Sequence, residues 1–328
     1  MLVSIIIPHF NRSELLQKAV DSVLVQTNGE WELLIIDDNS DISEFRKIEE
    51  LQGLDERIKV LSRRSTYKGP SACRNEGVAA AKGEYLIFLD SDDALAPYCV
   101  SQRIKLMEEN KELDMGIFLM QQFTEAPGDS DKIYNNKSTY ENRINCFLEG
   151  NNPWAVTGPI WRKDFFKQTG GFDESFFYME DPELHVRALL QDGMLYKTFY
   201  DYPADCYYRI NFHDDTKKDF YENSIRYRVM FYKKTGLLLS GRPGLLAQYK
   251  KSFEHGVINF FSNFLLSRVK EFPQLQQEFM EWANHSKLLS PVTVMKFKIL
   301  SAIFRNDNIA FRKIHLKGLA SKLLMPVQ

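Results

Sequence analysis

Short apolar runs alternate with helical patterns over residues 1–110, and this rhythm constrains the fold more than any other feature. Val3 to Pro8, Glu32 to Ile36, Ile58 to Leu61 and Tyr85 to Leu89 have strand length, and apolar residues fill adjacent positions. Between them, Leu15, Leu16, Ala19, Val20, Val23 and Leu24 recur at helical spacing, with Ser13 placed to cap a helix reaching about Thr27. Glu44 to Leu51 reads as a short helix, Ser71 to Lys82 as a helix stopped by Gly83, and Pro97 opens another through Asn110. Strands that are apolar on both faces, each followed by a helix, require a mostly parallel sheet covered by helices on both faces: an α/β, Rossmann-like fold. In such sheets ligands bind beyond the carboxyl ends of the strands. Pro8-His9-Phe10-Asn11, Asp37-Asp38-Asn39-Ser40 and Asp90-Ser91-Asp92-Asp93 all stand at strand carboxyl ends, so the topology gathers them on one edge.

Met115 to Phe123 and Thr157 to Arg162 read as two further strands, with a polar loop at Ala126 to Lys137. Residues after about Asp215 read as helical throughout, which puts a boundary near Asp214. The net charge of −2 conceals an asymmetry. Residues 241–328 hold 13 Lys plus Arg against 5 Asp plus Glu, a balance of +8 that leaves −10 on residues 1–240. Basic residues alternate with Met295, Phe297, Ile299, Leu300, Ile303 and Phe304. That suits an anionic membrane surface better than nucleic acid, or else a helix packed on the rest of the protein with its basic face solvated. The longest candidate for a transmembrane helix, Gly256 to Ser267, is an uncharged run of 12 residues, whereas about 20 are needed to span a bilayer. Met1-Leu2-Val3-Ser4 runs straight into Ile5-Ile6-Ile7 without a basic n-region, so no secretory leader is expected. Cys73, Cys99, Cys146 and Cys206 are too scattered for a disulfide scaffold or a zinc motif, and read as reduced thiols of a cytoplasmic protein.

Asp90 and Asp92 lie two apart, so an extended backbone points both carboxylates the same way. Such a pair suits Mg²⁺ or Mn²⁺, which is held by one or two carboxylates plus substrate phosphates. A solvated turn is the structural alternative. Asp38 can accept a hydrogen bond from a nucleobase or ribose, or cap the next helix. No GxxxxGK[ST] or GxGxxG loop is present, so a bound diphosphate would need a metal and scattered cations, with Lys68 and Arg74 as candidates. Asp181 precedes Pro182 and a helical pattern, and reads on its own as a helix N-cap.

Together these segments resemble glycosyltransferase family 2, in the GT-A fold. The resemblance covers about residues 1–213. It rests on Ser4 to Arg12 (SIIIPHFNR), Leu34 to Ser40 (LIIDDNS), Arg74 to Gly77 (RNEG), Gly83 to Asp93 (GEYLIFLDSDD), Gly170 to Glu174 (GGFDE) and Glu180-Asp181. It implies a catalytic domain over residues 1–214, with a nucleotide-sugar-binding half at about 1–112 and an acceptor-binding half at about 113–214. A helical, basic region follows at 215–328. The implied roles place Pro8, Phe10 and Asn11 around the nucleotide, Asp38 on the base (uracil being the usual one), Asp90 by the ribose and diphosphate, and Asp92 on the metal. Asp181 would be the catalytic base of an inverting displacement, with Glu180 as the fallback. His213, after Tyr207-Tyr208-Arg209, stands where some members place a metal-ligating His, although Asp214-Asp215 make the match loose. Neither the Gln-x-x-Arg-Trp motif nor the transmembrane helices of the processive members occur. The expected enzyme therefore adds one sugar per encounter, from a UDP-sugar, to a glycan or lipid-linked glycan. It would lie in the cytoplasm or at the inner face of the membrane, without nucleic acid.

Trp154, Trp161, Phe176, Phe177 and Tyr178 are candidates for an acceptor platform, with Trp154 and Tyr178 the strongest, although buried aromatics are the commoner outcome. Two other readings compete. A non-catalytic scaffold on the same fold would not need Asp38, Asp92 and Asp181 together. A sugar nucleotidylyltransferase would need a glycine-rich loop where Pro-His-Phe-Asn-Arg stands.

Overall fold

The computed structural model describes residues 1–135, 143–210 and 218–305. Contacts divide the chain into two compact units: residues 1–138 with 152–213, and residues 139–151 with 214–328.

The first unit is built on two sheets. The larger holds β1 (Val3–His9), β2 (Trp31–Asp37), β3 (Ile58–Ser62), β4 (Tyr85–Phe88), β6 (Met115–Ile117), β8 (Pro159–Arg162) and β9 (Tyr196–Thr198). Its order is β3-β2-β1-β4-β8-β6-β9. The β3, β2, β1 and β4 strands run parallel, and β8 alone runs against its neighbours β4 and β6. Every residue of β2 and all but Pro8 of β1 are buried, as the unbroken apolar runs require of central strands. Helices α1 (Ser13–Leu24), α2 (Ile42–Glu49), α3 (Pro70–Ala80) and α4 (Cys99–Glu109) alternate with these strands. The α3 helix lies close to β1: a Cβ on Gly77 would come within 2.4 Å of Ile6 Cγ2. The smaller sheet joins β5 (Ala94–Leu95), β10 (Cys206–Arg209) and β7 (Met120–Phe123) in that order. It is anchored by Arg103, whose buried guanidinium holds both oxygens of buried Asp205 at 2.9 and 2.7 Å.

Three sequence expectations need correction. Met115 to Phe123 is two strands in two sheets. The run divides after Phe118: β6 pairs with β8, a ladder that the Phe118 amide extends by donating to the Gly158 carbonyl at 3.1 Å, while β7 pairs with β10. Ser13 is the first helical residue and not the cap, and its amide donates to Glu44 Oε2 at 3.0 Å. Asp181 is likewise inside its helix, α7 (Glu180–Leu189), which starts after Met179 in a left-handed conformation with φ 65°. Helix α6 (Lys163–Gln168) completes the unit.

The second unit holds α5 (Arg143–Leu148), α8 (Lys218–Ser240), α9 (Pro243–Phe260), α10 (Pro273–His285) and α11 (Pro291–Arg305). Its core is aromatic. Phe261 stacks on Phe297 with centroids 4.1 Å apart, and Phe279 packs against both. Gly256 lets α9 meet α5 at backbone contact, since a Cβ there would fall 1.7 Å from the Leu148 carbonyl oxygen. No described helix is long and apolar enough to cross a membrane. All four cysteines are buried.

Candidate active site

The strand order reverses between β1 and β4, which creates a crevice at their carboxyl ends. A cleft of about 420 Å³ opens there in the first unit, lined among others by Pro8, Phe10, Asp38, Arg74, Asp90, Asp92, Tyr178 and Glu180. Among the described residues, three non-glycine residues have positive φ: Asn11 (49°), Asn39 (61°) and Met179 (65°). All three sit in segments that shape the cleft, where such backbone is commonly retained for function.

The β1 and β2 ends are locked together. Register sets His9 opposite Asp37, and the two side chains bond at 3.0 Å. His9 Nε2 accepts from the Arg12 amide at 3.1 Å, so Nδ1 carries the proton toward Asp37. Burial acts to raise the Asp37 pKa, but bonds from His9 and Ser40 outweigh it and hold the carboxyl below its usual range. Asp38 receives the Arg63 guanidinium on one oxygen and the Gly69 amide at 2.9 Å on the other. Each oxygen keeps a second lone pair for a ligand. Gly69 has φ 103°, and a Cβ there would lie 2.6 Å from the Phe177 ring.

The β4 end meets α7 through Arg74. This side chain is 2% exposed and binds Asp90 Oδ1 at 2.5 Å and Glu180 Oε1 at 3.0 Å. Although burial opposes it, the two carboxylates hold the guanidinium firmly charged. Asp92 faces the cleft, with Arg12 Nη1 3.7 Å from its carboxylate. Asp93 points the other way. It is buried and accepts from the Thr157 hydroxyl at 2.9 Å and the Arg209 amide at 2.9 Å, fixing the acidic loop to β10. Arg209 also donates to the Asp92 carbonyl at 3.0 Å.

Burial first, then Glu180 beside it, pushes the Asp181 carboxyl well above the usual carboxylate range, with Arg74 pulling the other way. Tyr134 and Tyr208, with centroids 4.7 Å apart, both feel the Asp181 charge. Behind the site, burial lowers the His185 imidazole to about 3, so it is neutral.

Of the residues singled out from the sequence, Pro8, Phe10, Asp38, Arg74, Asp90 and Asp92 line one cleft. Asn11 is not among its lining residues. Its amide bonds Asp41 on both sides, at 2.8 and 3.2 Å, and so shapes the neighbouring loops. His213 lies outside the described residues. Arg74 is spent on two carboxylates and positions them, so it differs from a free cation awaiting a diphosphate. Among the aromatics, Trp154, Trp161 and Phe176 are fully buried, whereas Phe177 and Tyr178 are exposed at the cleft. Sequence reasoning missed the roles of Arg63, Gly69 and Arg209. Of these, only Gly69 carried a signal, as a glycine before Pro70 at a helix start.

Among the described residues no group of three or more His, Cys, Asp or Glu could hold a metal unaided. Asp92 and Asp90 nevertheless fit a hard cation that takes one or two carboxylates and completes its shell with phosphate and water.

The comparisons agree with this geometry. Residues 4–162 match Glycosyl transferase family 2. Over 107 residues the chain is 36% identical to the GalNAc(5)-diNAcBac-PP-undecaprenol beta-1,3-glucosyltransferase of Campylobacter jejuni, covering 33% of this chain and 35% of that protein. Over 109 residues it is 38% identical to the UDP-Glc:alpha-D-GlcNAc-diphosphoundecaprenol beta-1,3-glucosyltransferase WfgD of Escherichia coli, covering 33% and 42%. The matched stretch spans less than half the length of these curated relatives. S. aureus TarS 1-349, solved in complex with UDP-GlcNAc, superposes with a TM-score of 0.68 at 18% identity, over 93% of this chain and 89% of that one. The mannosyltransferase PcManGT of Pyrobaculum calidifontis, solved with GDP-Man and Mn²⁺, does so at 0.51 and 13% identity, over 92% and 86%. At these identities the structural likeness speaks for the fold, a mixed α/β architecture with a mostly parallel sheet. The similarity to glycosyl transferase family 2 thus rests on residues 4–162, just under half of the chain.

Proposed function

We propose that this protein transfers one sugar from a nucleotide-diphosphate sugar, with UDP as the nucleotide, to a hydroxyl of a glycan or lipid-linked glycan. The observation that carries this reading is the meeting of Asp38, Asp90, Asp92 and Glu180 in one cleft at the reversal of strand order, with Asp181 beside it. Relatives that act on undecaprenol-linked glycans support the acceptor class, and the UDP-GlcNAc bound by TarS supports the donor class. The division into a nucleotide half (about 1–112), an acceptor half (about 113–214) and a helical part belongs to the same reading.

In this mechanism Asp38 accepts from the base, and Phe10, 53% exposed at the rim, packs against it. Arg74 fixes Asp90 and Glu180 in place. Asp92, with Asp90, would hold Mg²⁺ or Mn²⁺, which when bound offsets charge on the leaving diphosphate. Asp181 takes the proton from the acceptor hydroxyl as that oxygen attacks the anomeric carbon, on the face opposite the diphosphate. One displacement inverts the configuration. The raised Asp181 pKa makes it a stronger base than an exposed carboxylate, and it works only where it is ionised. Exposed Tyr178 is the remaining candidate for packing on the acceptor sugar.

A thermal-shift titration with UDP, GDP, CMP and dTDP, each with and without Mn²⁺, tests the donor class. A ligand bound only by the folded state at 100 times its Kd adds about 2.7 kcal/mol. The expected result is a metal-dependent shift for UDP that Asp92→Ala abolishes. No shift with any nucleotide, in folded protein, overturns the reading.

A further inference from the structure

Helix α11 is amphipathic in the wrong sense for a solvent-facing helix. Its inner face, with Thr293, Phe297, Leu300 and Ser301, is buried against the aromatic core of the second unit. The outward face should then be polar. Instead Val292, Met295 and Ile299 stand 55, 54 and 51% exposed. These positions recur at three and four residues, so they form one stripe along the helix. At about 100° per residue, Lys298 falls on one flank of the stripe and Lys296 on the other. Residues 286–305 contain Lys287, Lys296, Lys298 and Arg305 and no acidic residue.

From this arrangement we infer that the outward face of α11 docks on an anionic lipid surface, with Val292, Met295 and Ile299 entering the headgroup boundary and Lys296 and Lys298 meeting lipid phosphates. The charge selects the occupant. An apolar stripe alone would serve a second copy of the chain equally, but flanking lysines without a single acid repel a second copy and attract anionic headgroups. The 15-residue helix is about 22 Å long, so it lies in the surface and does not span it. The inference rests on the proposed transferase reading only for its purpose, delivery of the enzyme to a lipid-linked acceptor. Vesicle binding is measured without substrate and fails or succeeds separately from that reading.

The test is co-sedimentation of the full chain with vesicles of phosphatidylcholine alone and of phosphatidylcholine mixed with phosphatidylglycerol, at low and raised salt. Met295, Lys298 and Ile299 are exposed and Lys296 is half-buried, so circular dichroism should show the fold unchanged in each variant. The expected result is salt-sensitive binding to the anionic vesicles only. It should weaken about fivefold per lysine in Lys296→Gln and Lys298→Gln, and disappear in Met295→Glu/Ile299→Glu. Absence of wild-type binding, or binding indifferent to the double glutamate variant, overturns the inference. So does light scattering that shows a dimer lost in the double variant while vesicles stay unbound, since the stripe is then a self-association surface.

Discussion

Replacing Arg74 with Met keeps most of the side-chain volume and deletes the charge between two carboxylates. The guanidinium is 2% exposed, Glu180 13% and Asp90 32%. Removing one partner of a buried ion pair costs about 3–5 kcal/mol, because the other charge stays buried without compensation. Glu180 should bear most of that cost, since water reaches and screens Asp90. We therefore expect about 3 kcal/mol of destabilisation at neutral pH, the low end of that range. The pH dependence has a definite sign. Burial already raises the Glu180 pKa and Arg74 opposes it, so its loss raises the folded-state pKa further. The variant's penalty is present above that folded pKa and fades as pH falls through it. Urea unfolding at several pH values reads both the magnitude and the trend. Arg74→Met/Glu180→Gln should recover part of the loss, because the stranded charge is gone. A cost under about 1 kcal/mol, the same at every pH, would refute the account of Arg74 as the clamp between β4 and α7.

Two further substitutions separate shape from stability. Gly69→Ala puts a side chain at φ 103°, 2.6 Å from the Phe177 ring. It should cost about 1–3 kcal/mol of backbone strain and, by moving Phe177 and the amide that holds Asp38, weaken nucleotide binding in calorimetry. Asp205→Asn breaks the buried pair with Arg103, neither of which lines the cleft. It should cost about 3–5 kcal/mol in urea unfolding and leave the nucleotide Kd unchanged.

The central strands were legible because a parallel sheet covered on both faces needs apolar residues at every position, and β1 and β2 have them. The carboxyl-end placement of Asp38, Asp90 and Asp92 followed from that topology alone. The division of Met115 to Phe123 was not legible. The run is continuously apolar until Gln121, and the division shows only in the change of partner from β8 to β10. Short strands such as Ala94–Leu95 leave no period to detect. Composition marked five aromatics near the site, but only the fold separates buried Trp154 from exposed Tyr178. The Arg74 clamp joins residues 106 apart in the chain, a pairing that spacing cannot show. The helix-start reading of Asp181 suggested an ordinary ionised cap. Its burial beside Glu180 raises its pKa instead.

The central claim is that Asp181 is the base, and it is tested most directly by turnover and donor binding of Asp181→Asn against pH. The account predicts a loss in kcat of about 10²- to 10⁴-fold with the donor Kd preserved. In the wild type, the acid limb of kcat should lie above the range of an exposed carboxylate, because the burial and Glu180 that raise the Asp181 pKa keep it protonated to higher pH. Near-wild-type turnover in Asp181→Asn, with Glu180→Gln inactive instead, would contradict it and move the proton to the neighbouring carboxylate.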